Sequence, residues 1–293
     1  MEWLFTILGI VVAAVGLNDV FHTLLHPSGR GRLSRLVVTS VWWVSRNLRR
    51  KPGSFTGPLA VVSVIGTWAL LQTVGWALIY YPHIPQGFSY APGLDESRYA
   101  DIAEAFYVSL VTLGTLGYGD VVAVDAWLRL ASPLQAITGF ALLTAAVSWF
   151  IQIYPALARR RSLAIRLHLL RRVGYASQLA GVDSATGSQL LETLGTDIIQ
   201  VRVDLTQNAE TYYFPEAQAE ASLPAMIFYA VELCEKARVS ERPDIRLGGL
   251  VMAEALDDLA EYMSGKFIAK GGTTKEVFMS FASDHGYTYG STN

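Results

Sequence analysis

Cysteine is nearly absent from this chain. Cys234 is the single one among 293 residues, which excludes an intrachain disulfide and any cluster of cysteines around a metal. Charge is scarce too, at 16% of residues, and unevenly withheld. None falls between Leu59 and Tyr81, none between Leu130 and Ala158, and none between Trp3 and Asn18. A helix needs about 20 apolar residues to cross a bilayer core. The first two stretches meet that length outright, and the third meets it by running past Asp19 toward Leu25. Glu2 stands where a secretory signal would carry positive charge, and no small-residue cleavage site follows. The N-terminal stretch therefore reads as a retained span and not as a leader. A GxGxxG fingerprint between strand and helix is missing as well, which leaves a Rossmann-type ligand domain unsupported. No alternating pattern is strong enough to place a strand. His83, His168 and His285 are scattered, and no nucleophile and base stand at a telling spacing, so the expectation is passive function, no catalysis and no cofactor.

What is lacking locally also orients the chain. Residues 27–52 hold Arg30, Arg32, Arg35, Arg46, Arg49, Arg50 and Lys51 with no acid, and residues 159–172 hold six arginines with no acid. Residues 82–126 hold six acids and one base. Basic loops stay on the cytoplasmic side. The expected topology is therefore a multi-pass protein of the cell membrane with its N-terminus outside, three spans and a cytoplasmic C-terminal region. That region, from residue 173, has about twice as many acids as bases. Such a balance excludes nucleic-acid binding and a flat rest on anionic lipid.

The pattern divides the chain into an N-terminal spanning helix (1–26), a basic cytoplasmic or interfacial helix and linker (27–56), a membrane domain (57–158) and an acidic helical tail (159–293). In the second part, apolar residues at helical spacing alternate with arginines and the pair Trp42–Trp43, which suits a helix lying in the membrane plane. In the third, an outer helix at 57–81 leads to an external loop at 82–100. A short helix at 101–113 follows, opened by Asp101 and Glu104 at capping-box spacing. It is too short to span. After TLGYGD (115–120), an inner helix runs over 126–158. The tail reads as helices near 162–181, 186–206, 216–238, 244–268 and 274–285, the last opened by Thr273 and Glu276. The fold class is all-α, with three transmembrane helices, one re-entrant helix and loop, and a helical cytoplasmic domain.

The order span, short helix, TLGYGD, span, centred on SLVTLGTLGYGDVV, resembles the pore unit of potassium channels. Extended backbone at membrane depth is tolerated only where it is buried in protein or lines a water-filled cavity, and glycine allows backbone angles that direct carbonyls to one axis. The resemblance implies a selectivity filter in which the carbonyls of Thr115, Leu116, Gly117 and Tyr118 replace the hydration shell of K+. Gly119 completes the loop. The Thr115 hydroxyl would form the innermost site, and Tyr118 would turn away from the axis. Asp120 would sit behind the outer mouth, with Tyr107 or water as its partner. Gly114 stands where the family usually has threonine. Gly139 falls at the usual hinge of the inner helix, and Phe140, Leu143, Val147 and Ile151 would line the cavity and inner mouth. One loop cannot surround an ion, so the resemblance implies a homotetramer in the lipid bilayer.

The first helix adds Asp19, His22 and His26 on one face, which could bind a divalent metal or sense pH; Asp19 pairing with an arginine is the alternative. The tail could tetramerise, bind a ligand or dock a protein. Within TQNAETYYFPEAQAE, the aromatics read as core packing ahead of a pocket. The resulting function is a homotetrameric potassium channel; its alternatives are a weakly selective cation channel and a non-conducting membrane sensor or scaffold.

Overall fold

The computed structural model describes residues 2–24, 31–48, 53, 55–96, 98–268 and 271–288. The chain divides into two compact units: residues 1–39 with 60–151, and residues 40–59 with 152–293. Each is considered by itself.

The first unit is built on α1 (Glu2–Leu24), the start of α2 (Arg32–Leu48), most of α3 (Thr56–Tyr80), α4 (Asp101–Leu113) and the first half of α5 (Ala126–Arg172). Helices α1, α3 and α5 are long and apolar enough to cross a membrane. Small residues set the approach of α1 to α3. A methyl group on Gly9 would stand 2.4 Å from the Gly75 carbonyl oxygen, and one on Gly75 would stand 2.8 Å from the Ala13 nitrogen. Such close backbone contact is how spanning helices gain packing energy where lipid offers no hydrophobic drive. Indole rings of Trp68 and Trp149 meet at 5.3 Å between α3 and α5. The sequence placed no strand, yet β1 (Phe88–Tyr90) and β2 (Val121–Ala123) pair antiparallel, Ser89 opposite Val122. Three residues apiece are too few for an alternating pattern to show.

The second unit packs α7 (Ser184–Gln207), α8 (Leu223–Arg238), α9 (Pro243–Lys266) and α10 (Thr274–Asp284) around the last part of α5, with the single turn α6 (Tyr175–Gln178) beside them. The sequence broke the chain near 158–162, but α5 continues unbroken for 47 residues. Three adjacent arginines repel one another in an isolated helix. Here acids of the same unit meet them: Arg159 grips Asp204 with two bonds of 2.7 and 2.6 Å, and Arg161 Nε lies 2.8 Å from both oxygens of Glu216. Buried Arg160 donates to the carbonyls of Thr211 and Phe214. The helix ends where Gly174 takes a left-handed conformation, φ +64°. The expected helix from 216 begins instead at Leu223, because Pro224 suits a first turn and short 3-10 turns occupy 209–213 and 219–221. Thr273 and Glu276 close a complete capping box on α10.

The tryptophan pair separates. Trp42 is 6% exposed and Trp43 65%. Trp42 lies against the rings of Tyr213 and His285 at 5.5 and 5.2 Å, and Arg46 pairs with Asp284 at 2.7 Å. The second half of the basic helix therefore packs on protein along one face and presents Trp43, Val44 and Leu48 on the other. In the TQNAETYYFPEAQAE stretch, Tyr212 is a core residue stacked on Phe267 at 4.2 Å.

His285 lies buried in this cluster, its ring nitrogens 3.0 Å from the Phe281 carbonyl and 2.9 Å from the Tyr212 carbonyl. Burial, assisted by the charge on Arg160, lowers its pKa to about 4 against the pull of the two carbonyls and Asp284. An unfolded chain regains the ordinary value near 6.5 and so takes up the proton first. Stability from this group is therefore complete above about pH 6.5 and falls as pH drops toward 4, by about 3 kcal/mol in all. Denaturant titrations of the whole protein in detergent between pH 4 and 7 should show that slope, and His285→Gln should flatten it. Equal slopes for the two proteins would show that His285 does not titrate on unfolding.

Candidate functional site

Helix α4 is 13 residues long, roughly 20 Å at 1.5 Å per residue, which is short of a bilayer core. It starts after Ala100, whose extended backbone (φ −69°, ψ 136°) makes it the N-cap. The expected Asp101–Glu104 capping box is therefore not formed. Asp101 lies inside the first turn, where helical angles keep its side chain from capping, and Ala100 offers no side-chain acceptor. Both acids still sit at the positive end of the helix dipole.

At the other end, backbone bonds tie the loop to the helix: Gly114 N to Leu110 O, Thr115 N to Thr112 O and Leu116 N to Val111 O, each 2.9–3.0 Å. Gly114 has ordinary right-handed angles (φ −74°, ψ −3°), so its backbone conformation does not require glycine. Beyond it every second residue is left-handed: Thr115 at φ +55°, Gly117 at +57°, Gly119 at +75°. Alternation of this kind turns successive carbonyls to one side of the strand. Gly117 and Gly119 adopt it without the Cβ clash that opposes it elsewhere. Thr115 adopts it at a cost, and its sequence gave no signal of that; threonine is among the residues least suited to positive φ.

The loop's exit is held from outside. Ala91 N donates to Asp120 O at 2.8 Å, next to the β1–β2 pair. Tyr107 on α4 donates its hydroxyl to Asp120 Oδ2, and the backbone N–H of Val121 donates to Oδ1 at 3.1 Å. Leu116 and Tyr118 are exposed in the single chain.

On α5, Phe140, Leu143, Val147 and Ile151 recur at helical spacing and are all exposed. Gly139, one turn before Leu143, lies against the end of α4. A methyl group there would stand 2.0 Å from the Leu113 carbonyl oxygen. Helix α5 passes through Gly139 and through Pro133 without interruption. In this structure the glycine allows close contact with α4.

Asp19, almost fully buried, is occupied by neighbours. Its Oδ1 accepts from Leu33 N at 2.9 Å, and its Oδ2 accepts from Ser34 N, the Ser34 hydroxyl and Trp68 Nε1. It thus caps α2 from a different helix. His22 Nδ1 lies 2.9 Å from the Asn18 carbonyl, and His26 falls outside the described residues. Among the described residues no three or more His, Cys, Asp or Glu side chains gather as metal ligands.

Gln135 is an amide within an apolar stretch of α5. It is wholly buried and joins three helices. Its Oε1 accepts from the Tyr80 hydroxyl at 2.7 Å, and its Nε2 donates to Ser109 O and Ser109 Oγ at 2.9 and 2.8 Å. An amide in a spanning stretch is itself a signal, because an unpaired one is costly in lipid.

Residues 64–154 match the family model described as "Ion channel". The matched segment begins inside α3 and ends inside α5, so it contains α4, the TLGYGD loop and the apolar face of α5. A "Putative potassium channel protein RPA4233" of Rhodopseudomonas palustris is 26% identical over 132 residues, 45% of this chain and 31% of that protein. An "Uncharacterized membrane protein YdjJ" of Bacillus subtilis is 26% identical over 164 residues, 55% of this chain and 47% of that protein. The chain thus spans between about a third and a half of these relatives' lengths. No solved structure matches. Three helices long and apolar enough to span, together with these matches, make the chain a multi-pass membrane protein.

Proposed function

We propose that four copies of this chain form a potassium-selective pore, with the N-terminus outside and the acidic tail in the cytoplasm. The observation that carries the reading is the alternation of left-handed residues at 115, 117 and 119, at the tip of a half-length helix within the matched segment. A row of carbonyls facing one way is a coordination surface for a dehydrated monovalent cation. One row covers one side of an ion, which is why four copies are needed. The exposed face of Phe140, Leu143, Val147 and Ile151 would then line the shared cavity below. Basic residues at 27–52 and 159–172 against acids at 82–126 support the orientation. The name of the Rhodopseudomonas relative agrees with potassium as the permeant ion.

Purified full-length protein in liposomes should carry potassium down its gradient, be blocked by barium and pass sodium far less well. Gly117→Ala should abolish that flux. Left-handed backbone costs a non-glycine residue roughly 1–2 kcal/mol, incurred once per subunit, and relief of the strain turns a carbonyl off the axis. Near-equal sodium and potassium permeability would make the pore a weakly selective one, and absence of flux at any pH or voltage would favour a sensor or scaffold.

A further inference from the structure

We propose that Gln135 is a positioning residue for the filter: through Ser109 it fixes the depth and rotation of α4, and so the geometry of the TLGYGD loop that α4 carries. The inference rests on the pore reading and concerns how α5 acts on it. Ser109 Oγ donates its proton to the Thr73 carbonyl on α3 at 2.9 Å. It can therefore only accept from Gln135, which fixes the amide with its nitrogen toward Ser109 and its oxygen toward the Tyr80 hydroxyl. Both amide protons and the amide oxygen are then used, in a site where Gln135, Ser109 and Tyr80 are 0% exposed. A fully satisfied buried network of this kind has one good arrangement and resists sliding.

A second contact lies one helical turn away. Gln135 and Gly139 are four apart on α5; Ser109 and Leu113 are four apart on α4. The amide meets Ser109, and the bare Gly139 backbone meets Leu113. Side chains four apart share a helix face. The two contacts are thus in step, and they bear on α4 six residues and two residues before Thr115. A shift of α5 at this level must displace the base of the filter. The inference assigns α5 a role above the apolar lining of the cavity, at the filter itself.

The test uses full-length protein carrying Gln135→Met, which keeps the volume and removes the amide's hydrogen bonds, and Tyr80→Phe, which removes one bond to the amide and a longer one to Ser132. Two quantities are read: the sodium-to-potassium permeability ratio in liposomes, and the difference in thermal stability between potassium and sodium buffers. Ions bound in an intact filter raise stability in potassium specifically. Gln135→Met should raise the permeability ratio about tenfold and shrink the potassium-specific stabilisation, and Tyr80→Phe should shift both in the same direction by less. A purely structural role would lower stability equally in both buffers and leave the ratio unchanged, which would overturn the proposal. Should Gln135→Met fail to fold, Tyr80→Phe decides by the same two readouts. If the unmodified protein shows neither potassium-specific flux nor potassium-specific stabilisation, the pore reading itself has failed; if it shows both and the variants alter neither, only the positioning role has.

Discussion

Gly139→Val should abolish potassium flux while the protein still folds and inserts, and Gly139→Ala should already reduce flux at least tenfold. The space for a side chain at this position is negative. An added Cβ would lie 2.0 Å from the Leu113 carbonyl oxygen and 2.9 Å from its carbon, where ordinary carbon contacts are about 3.5–4.0 Å. The obstructing atoms are backbone, so no rotamer change relieves them. Either α5 moves outward or the end of α4 moves by more than an ångström, and the TLGYGD loop starts two residues later. A glycine kept as a hinge makes a different forecast. Alanine there would change how often the pore opens and leave the sodium-to-potassium ratio of the open pore unaltered. Liposome flux together with bi-ionic reversal potentials separates the two roles. Unchanged flux and selectivity in Gly139→Ala would show that α4 and α5 do not meet this closely in the working protein.

The same glycine shows where sequence reading stops. The spans, the half-helix and the TLGYGD loop were legible because each is a local matter: apolar length for the spans, acids at a helix start, glycines where carbonyls must turn. The role of Gly139 was not, since a glycine in a spanning helix looks identical whether it bends or makes room. The difference lies in an atom of Leu113, 26 residues earlier. Gln135 is a similar case. Its rarity in such a helix was visible, but its partners Tyr80 and Ser109 come from two other helices. The length of α5 was misread for an electrostatic reason. Arg159, Arg160 and Arg161 look like a break until Asp204 and Glu216 are brought beside them by the fold. The Asp101–Glu104 pair had the right spacing and the wrong frame, because the chain turns helical one residue earlier than a capping box needs. At Thr273, where the frame is right, the same pattern formed. For Asp19 the sequence offered metal, proton or arginine as partners; the partners seen in the structure are backbone N–H groups, the Ser34 hydroxyl and an indole.

Removal of the Asp19 carboxylate should be strongly destabilising. Asp19→Ala leaves Leu33 N, Ser34 N, the Ser34 hydroxyl and Trp68 Nε1 without their acceptor, in a site only 3% exposed. Buried donors stripped of a partner cost about 1–3 kcal/mol each, and less than additively when they share one. A loss of roughly 4 kcal/mol is expected. Neighbours cannot take over, because Thr23 Oγ1 already accepts from Gly31 N at 3.1 Å and donates to Ser34 Oγ. Gly31 itself could carry no side chain beside the carboxylate, since a Cβ there would come within 2.3 Å of Asp19 Oδ1. Asp19→Asn keeps the shape but turns an NH2 toward donors, so about half the loss should remain. Trp68→Phe removes one donor and its cost; combined with Asp19→Ala it should cost less than the sum of the two, because the indole no longer needs the acceptor. Thermal unfolding of the detergent-purified protein, followed by helix content and by indole fluorescence, gives these numbers. If Asp19→Ala lies within 1 kcal/mol of the unmodified protein, the carboxylate is not the link that fastens α2 to α1 and α3.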